Sequence, residues 1–352
     1  MSAQTSAAAT ERLRFLRRRA FLRGTTLRRF IVFPQVLDDD RPFAILAPPA
    51  LERFREVTGV GSARLETRFD GWSKLALLTD DAVYLFPRRG RDDSLLLGAE
   101  ACSYLNKRGV ACAPGVVGRW DEFMEVAGPC VAFERRAGRQ WSDIEATVTL
   151  NDLTTMLASL GRSIATWHNL DVPALPPALR RRASFDPKPT ITALLDGDHE
   201  ALVEEAGVRA DVGDPVRQRW LDLLEPVVAM SEVLVHGDVC ENQLLVDEQN
   251  VVRTVIDWDT AGLGHPLHDF DFGEWGFGIY SWERHFAELR REMWTAYASV
   301  RDTDDLPDAD AVNLGFVLAE FTYFARHRDG GTLDAWGGRR LANTAAALRD
   351  FS

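Results

Sequence analysis

A short β interruption in an otherwise helical second half constrains this chain more than any other feature. Residues 153–170, 217–230, 282–300 and 311–327 carry apolar side chains at helical spacing, and a shorter helix is expected at 191–195. Between them, residues 233–235, 244–246 and 251–256 read as short strands, the last two joined by the polar turn 247–250. Two carboxylates end these strands on neighbouring loops. Asp238 follows the first, in Val235-His236-Gly237-Asp238, and Asp257 closes the third, in Ile256-Asp257-Trp258.

The first half is patterned differently. From about Leu51 a helical stretch leads to alternating segments at 63–69, 75–78 and 82–86, punctuated by Asp70-Gly71 and Asp80-Asp81. A helix is expected at 95–107, followed by apolar stretches at 124–126 and 129–133. Five short antiparallel strands with a helix inserted after the third predict a small α+β lobe. Before it, residues 1–43 hold an arginine run from Arg12 to Arg29 without the apolar core of a secretory signal, and read as a basic, poorly ordered extension. At 352 residues the expected organisation is this extension, a lobe at 44–134 and a mainly helical lobe at 135–352.

Composition narrows the function classes. Hydrophobic residues at 46% and charged residues at 27% are ordinary for a globular chain, and no apolar run approaches the roughly 18 residues of a membrane span. The net charge of −12 opposes non-specific binding to nucleic acid. It divides as +6 over residues 1–141 and −18 over 142–352, so the second part favours a cationic partner. Cys102, Cys112, Cys130 and Cys240 form no CxxC pair, which argues against a zinc knuckle or a secreted disulfide scaffold and for the reducing cytoplasm.

Two acids on adjacent loops suit phosphoryl transfer from a nucleoside triphosphate. One orients the attacking hydroxyl and takes its proton, and the other holds the Mg²⁺ that neutralises the β- and γ-phosphates. His236-Gly237-Asp238 and Val255-Ile256-Asp257-Trp258, continued by Ala261, Gly264, Pro266 and Asp269, resemble the aminoglycoside phosphotransferase/choline kinase family. The resemblance runs more weakly over residues 60–327. Phe86-Pro87-Arg88-Arg89 is similar to that family's third strand, Glu100 to its helix glutamate, and Leu160-Gly161-Arg162 through Trp167-His168 to the helix before the catalytic loop. It implies a bilobal protein-kinase-like α+β fold, ATP or GTP as co-substrate, and Mg²⁺. It also implies Asp238 as catalytic base, Asp257 as metal ligand, His236 as the brace of the loop, and the nucleotide base at a hinge formed by Phe133, Glu134 and Arg135.

The chain departs from the family pattern at three places. Five positions after Asp238 the family usually has Asn, and here stands Gln243, preceded by Asn242; either amide is a candidate metal ligand, with Gln243 favoured because it keeps the register. Leu85 occupies the place of the third-strand cation, which leaves Glu100 without its usual partner and makes Lys74 and Arg88 the candidates for gripping phosphates. Lys74 leads, because Arg88 lies an odd number of positions beyond Leu85, on the opposite face of a strand. The turn Asp70-Gly71-Trp72-Ser73, with Ser73 expected near the nucleotide, has a single glycine rather than a glycine-rich loop.

Asp271, Glu274, Trp275 and Tyr280 follow the second acidic loop and are expected to line the acceptor site through charge and aromatic contact. His265 and His268 have an HxxH spacing without helical context, and Asp269 reads as a helix N-cap. The leading expectation is a phosphotransferase acting on a hydroxyl of a small cationic molecule such as an aminoglycoside-like antibiotic or amino sugar. Two rivals stay open: a choline- or homoserine-type metabolite kinase, and a catalytically silent binding module of the same fold.

Overall fold

The computed structural model describes residues 48–60, 66–68, 74–87, 94–121, 129–181, 214–270, 282, 285–303, 305–329, 342–344 and 347–348. The expected extension at 1–43, the stretches at 124–126 and 191–195, and Ser73, Arg88, Asp271, Glu274, Trp275 and Tyr280 lie outside the described residues.

Five strands form one antiparallel sheet: β1 (Glu66–Arg68), β2 (Lys74–Leu78), β3 (Ala82–Pro87), β4 (Val116–Trp120) and β5 (Cys130–Glu134). Their spatial order is β1-β2-β3-β5-β4. The β2–β3 turn closes on Thr79, whose hydroxyl accepts the Ala82 N–H at 3.0 Å. The two faces differ because side chains alternate along a strand. Leu75, Leu77, Tyr84, Phe86, Cys130 and Ala132 cluster on one face with Phe54 of helix α1 (Pro48–Thr58), whose ring meets Tyr84 edge-on at 4.9 Å. Leu85, Val131 and Phe133 belong to the main core on the other face, where helix α2 (Ser94–Lys107) packs through Leu95, Ala101, Cys102 and Leu105. Ala76 pairs with Leu85 and Lys74 with Pro87, so Lys74 emerges on this second face, toward the rest of the molecule.

The remainder is mainly helical. After β6 (Arg139–Gln140) and the short α3 (Trp141–Ile144) comes α4 (Leu150–His168), opened by a reciprocal capping box in which Thr149 and Asp152 exchange side chain and backbone N–H bonds. Its buried stripe runs Leu153, Met156, Leu157, Leu160, Ile164 and Trp167. Among the described residues the lobe also holds helices α5 (Asp214–Ala229), α6 (Phe286–Ala298) and α7 (Ala309–Asp329). A Cβ at Gly161 would overlap the Met293 carbonyl oxygen, so α4 and α6 approach to backbone contact.

The β interruption lies where expected. β7 (Val233–Val235) pairs with β10 (Gly262–Gly264), and β8 (Leu244–Val246) pairs with both β6 and β9 (Val252–Val255). One strand of the first lobe is placed differently from the expectation: the partner of β5 is β4 at 116–120. It is an edge strand with Val117 exposed and a register shift at Gly118, so its alternation is poor. No described helix is long and apolar enough to cross a membrane. The four cysteines are buried thiols, none joined in a disulfide.

Candidate active site

Gly237 makes the first acidic loop possible. It adopts φ +82°, and a Cβ there would meet the Thr260 carbonyl oxygen at 2.9 Å. The loop can therefore lie against the turn that follows Asp257, where the Thr260 hydroxyl donates to the His236 carbonyl at 2.8 Å. The His236 ring is fully buried. Its Nε2 donates to the Ile256 carbonyl at 3.0 Å and its Nδ1 accepts the Asp238 N–H at 3.3 Å. Burial lowers the histidine pKa, in keeping with this neutral tautomer. Trp258 fills the space between the loops, edge-on to His236 at 4.6 Å and to Trp167 at 5.1 Å. His236 thus contacts both acidic loops.

Asp269 is the anchor beneath. Expected as a helix N-cap, it sits instead inside the 3₁₀ segment Pro266–Phe270, with its carboxylate fully buried. It accepts the backbone N–H groups of His236 at 2.9 Å and Gly237 at 3.0 Å, the Trp167 indole at 2.9 Å and His168 Nε2 at 3.2 Å. Burial alone would raise its pKa, but the hydrogen bond from His168 and the surrounding histidines hold it far below the usual carboxylate range. The physical reason is that four donors from two distant segments, 167–168 and 236–237, outcompete one local cap. The HxxH spacing is likewise absorbed at His265, whose Nε2 donates to the Val227 carbonyl at 2.8 Å while Nδ1 accepts the Leu267 N–H at 3.2 Å.

Asp257 has φ 70° and ψ 54°, the left-handed region, which Asp visits more readily than most residues. Its carboxylate is 38% exposed, in ion-pair contact with the Lys74 ammonium. Lys74 also meets Asp259 Oδ2 at 2.7 Å. Burial would lower the lysine pKa, yet the two carboxylates keep it above its ordinary value, so the cation is retained. Lys74 is therefore a buried cation bridging β2 to the second acidic loop rather than a solvated surface lysine.

Glu100 does not join this pair: it is half-buried on α2, and no ion pair connects it to Lys74. The helix meets the loop nearer its N-terminus, through Ser94, whose hydroxyl donates to Asp259 Oδ2 at 3.1 Å, and through Gly98. Phe133 is buried at the end of β5. Glu134 and Arg135 are exposed just beyond, with the Glu134 N–H donating to the Gly115 carbonyl at 2.7 Å and the Arg135 guanidinium to the Thr79 carbonyl at 2.6 Å.

Of the two candidate amides, that of Gln243 is engaged within the loop. Gln243 Nε2 donates to Asp238 Oδ2 at 3.2 Å, and its Oε1 accepts the Cys240 thiol at 2.6 Å. Asn242 gives its backbone carbonyl to Gln140 Nε2 at 2.6 Å. Among the described residues no group of three or more His, Cys, Asp and Glu is placed to hold a metal. Mg²⁺ makes a lighter demand, usually one or two carboxylates with water and substrate phosphates, and the half-exposed Asp257 carboxylate with hard oxygen donors nearby fits it.

A two-lobed frame with a buried cation between lobes and two carboxylates at neighbouring turns defines a kinase-like architecture. The family model described as "Phosphotransferase enzyme family" matches residues 66–310, and the chain belongs to that family of enzymes. Among solved structures, the GDP complex of wild-type aminoglycoside 2'-phosphotransferase-IIIa is 16% identical with a TM-score of 0.53, over 84% of this chain and 96% of that one. The streptomycin–ATP–APH(2'')-IIa ternary complex is 14% identical with a TM-score of 0.50, over 86% and 96%. These likenesses show the fold. No curated protein matches the chain by sequence.

Sequence reasoning missed Asp259 as a partner of Lys74 and Asp269 as the loop anchor. Asp259 stands two positions after Asp257 inside the same motif, and its signal was an acid at a position that the fold buries against α2.

Proposed function

We propose that this chain is an ATP- or GTP-dependent O-phosphotransferase acting on a hydroxyl of a small cationic molecule, an aminoglycoside-like antibiotic or amino sugar. The observation that supports the reading best is the ion pair of Lys74 on β2 with Asp257, whose loop is tied through His236 to the one that bears Asp238. The nucleotide lies between a lobe at 44–134 and a lobe at 135–352, its base against Phe133, Glu134 and Arg135. Its phosphates are met by Lys74, with Ser73 and Arg88 as further candidates from the sequence. Asp238, steadied by Gln243 and by the His236 brace on its amide, orients the acceptor hydroxyl and takes its proton. Asp257, with the amide of Gln243 or Asn242, would hold Mg²⁺, which supplies charge neutralisation at the β- and γ-phosphates. Positioning and electrostatics suffice for such a reaction, because the transferring phosphoryl group needs little covalent help.

GDP, ATP and streptomycin appear in complexes of the similar phosphotransferases, which supports a nucleoside triphosphate and a cationic acceptor here. The excess of acid in residues 142–352 points the same way, with Asp271, Glu274, Trp275 and Tyr280 as the acceptor-side candidates. Cytoplasmic residence is part of the proposal, supported by the nucleotide requirement and by four cysteines that form no CxxC pair. The test is release of ADP or GDP across a panel of aminoglycosides, macrolides, amino sugars, choline and homoserine. Acceptor-dependent release is expected, with a Michaelis constant for the best acceptor that rises with ionic strength. Preference for choline or homoserine would make the chain a metabolite kinase, and nucleotide binding without release on any acceptor would make it a silent module.

A further inference from the structure

We propose that Asp259, not Glu100, is the fixed partner that positions Lys74 for the nucleotide phosphates, and that α2 is coupled to the site through this aspartate. The proposal rests on the phosphate-binding reading of Lys74 given above and deepens it. The two carboxylates beside Lys74 are not equivalent. Asp257 is 38% exposed and is the candidate metal ligand, whereas the Asp259 side chain is 11% exposed and held from several sides.

Asp259 Oδ2 takes both the Lys74 ammonium at 2.7 Å and the Ser94 hydroxyl at 3.1 Å. Its Oδ1 lies against the backbone of α2 at Gly98, where a Cβ would overlap it. Its own carbonyl accepts Arg181 Nη2 at 2.9 Å. A carboxylate fixed in this way stays in place whatever occupies the cleft. When Asp257 turns to a divalent cation and phosphates, Asp259, an already desolvated and hydrogen-bonded acid, keeps a counter-charge on the buried Lys74 ammonium without further cost. Glu100 stands six positions past Ser94 and two past Gly98 on α2, and makes no ion pair with Lys74. A small residue at 98 and a hydroxyl at 94, four apart on one helix face, form the seat for Asp259.

The test is calorimetric binding of MgATP and MgGTP to the full chain as wild type, Asp259→Asn, Lys74→Ala, the double variant and Glu100→Gln, with thermal unfolding of each. Asp259→Asn is expected to weaken binding by about tenfold or more, the scale of one charge-assisted hydrogen bond. It should add nothing in the Lys74→Ala background, and Glu100→Gln should bind like wild type. A merely structural aspartate would weaken binding in both backgrounds. Gly98→Ala, which displaces the carboxylate without removing a charge, should weaken binding in the same direction and carries the test if Asp259→Asn does not fold. Wild-type affinity in Asp259→Asn or in a folded Gly98→Ala, or independent effects of Asp259→Asn and Lys74→Ala, would overturn the proposal. Failure of the wild type to bind either nucleotide would instead overturn the proposed function, and this inference with it.

Discussion

Asp269 shows how one side chain sets the position of another that it never touches. Its carboxylate receives two consecutive backbone N–H groups of the loop that ends in Asp238, and an indole and an imidazole from the end of α4. Asp269→Asn keeps the size but turns a donor toward donors, so roughly 3 kcal/mol of stability should be lost. Urea unfolding checks this, and a loss below about 1 kcal/mol would show that the loop does not depend on the charge. The short motifs around Asp238 and Asp257 were legible in the sequence, because glycine before an acid and tryptophan after one state local requirements. Asp269 was not. Its partners stand 32 to 102 positions away, and a carboxylate near the start of a helical pattern looks like a cap until the fold supplies better donors. Lys74 was reached by elimination, since Leu85 left the usual strand without a cation, and the β2–β3 register then puts both on one face.

At the scale of elements, periodic segments were readable and short ones were not. The α4 pattern and the β8–β9 hairpin follow from side chains that alternate or recur at the right period. β6 has two residues and β10 reads Gly-Leu-Gly, so neither carries a periodicity, and both exist only because a neighbouring strand offers hydrogen bonds. The α4–α6 contact depends on Gly161 in the same non-periodic way. Gly161→Ala improves helix propensity yet drives a methyl into the Met293 carbonyl, and the clash should dominate, with a net loss of about 1 to 3 kcal/mol. A melting temperature equal to or above that of wild type would contradict the close approach of these helices.

At the scale of the whole molecule, buried His168 and His236 contribute to the response to mild acid. His168 and His236 are both held below their ordinary pKa by burial, so the folded chain keeps them neutral while the unfolded chain protonates them below about pH 6.5. The unfolded state then binds more protons, and stability falls as pH drops through this range, by on the order of 1 kcal/mol per unit for each histidine. Asp269 acts in the other window. Its depressed pKa contributes stability above about pH 3.9 that is lost only in strong acid. Melting temperatures should therefore be nearly level from pH 7.5 to 6.5 and lower at 5.5, and a higher value at 5.5 would reverse the assignment. The bilobal plan itself was visible in the sequence as a change from period two to helical spacing near residue 138, but how the lobes join was not, since the bridge of Lys74 to Asp257 spans 183 positions.

The division of labour between the two acidic loops is tested most directly by comparing Asp238→Ala with Asp257→Ala on an acceptor that the wild type phosphorylates. Turnover and MgATP affinity are measured on the same preparations. Asp238→Ala should abolish turnover and bind MgATP nearly as wild type does, because in the proposed reading its carboxylate meets the acceptor and not the phosphates, whereas Asp257→Ala should lose MgATP affinity as well as turnover. Substantial turnover in Asp238→Ala, or unchanged MgATP affinity in Asp257→Ala, would contradict a phosphoryl transfer shared between these two residues.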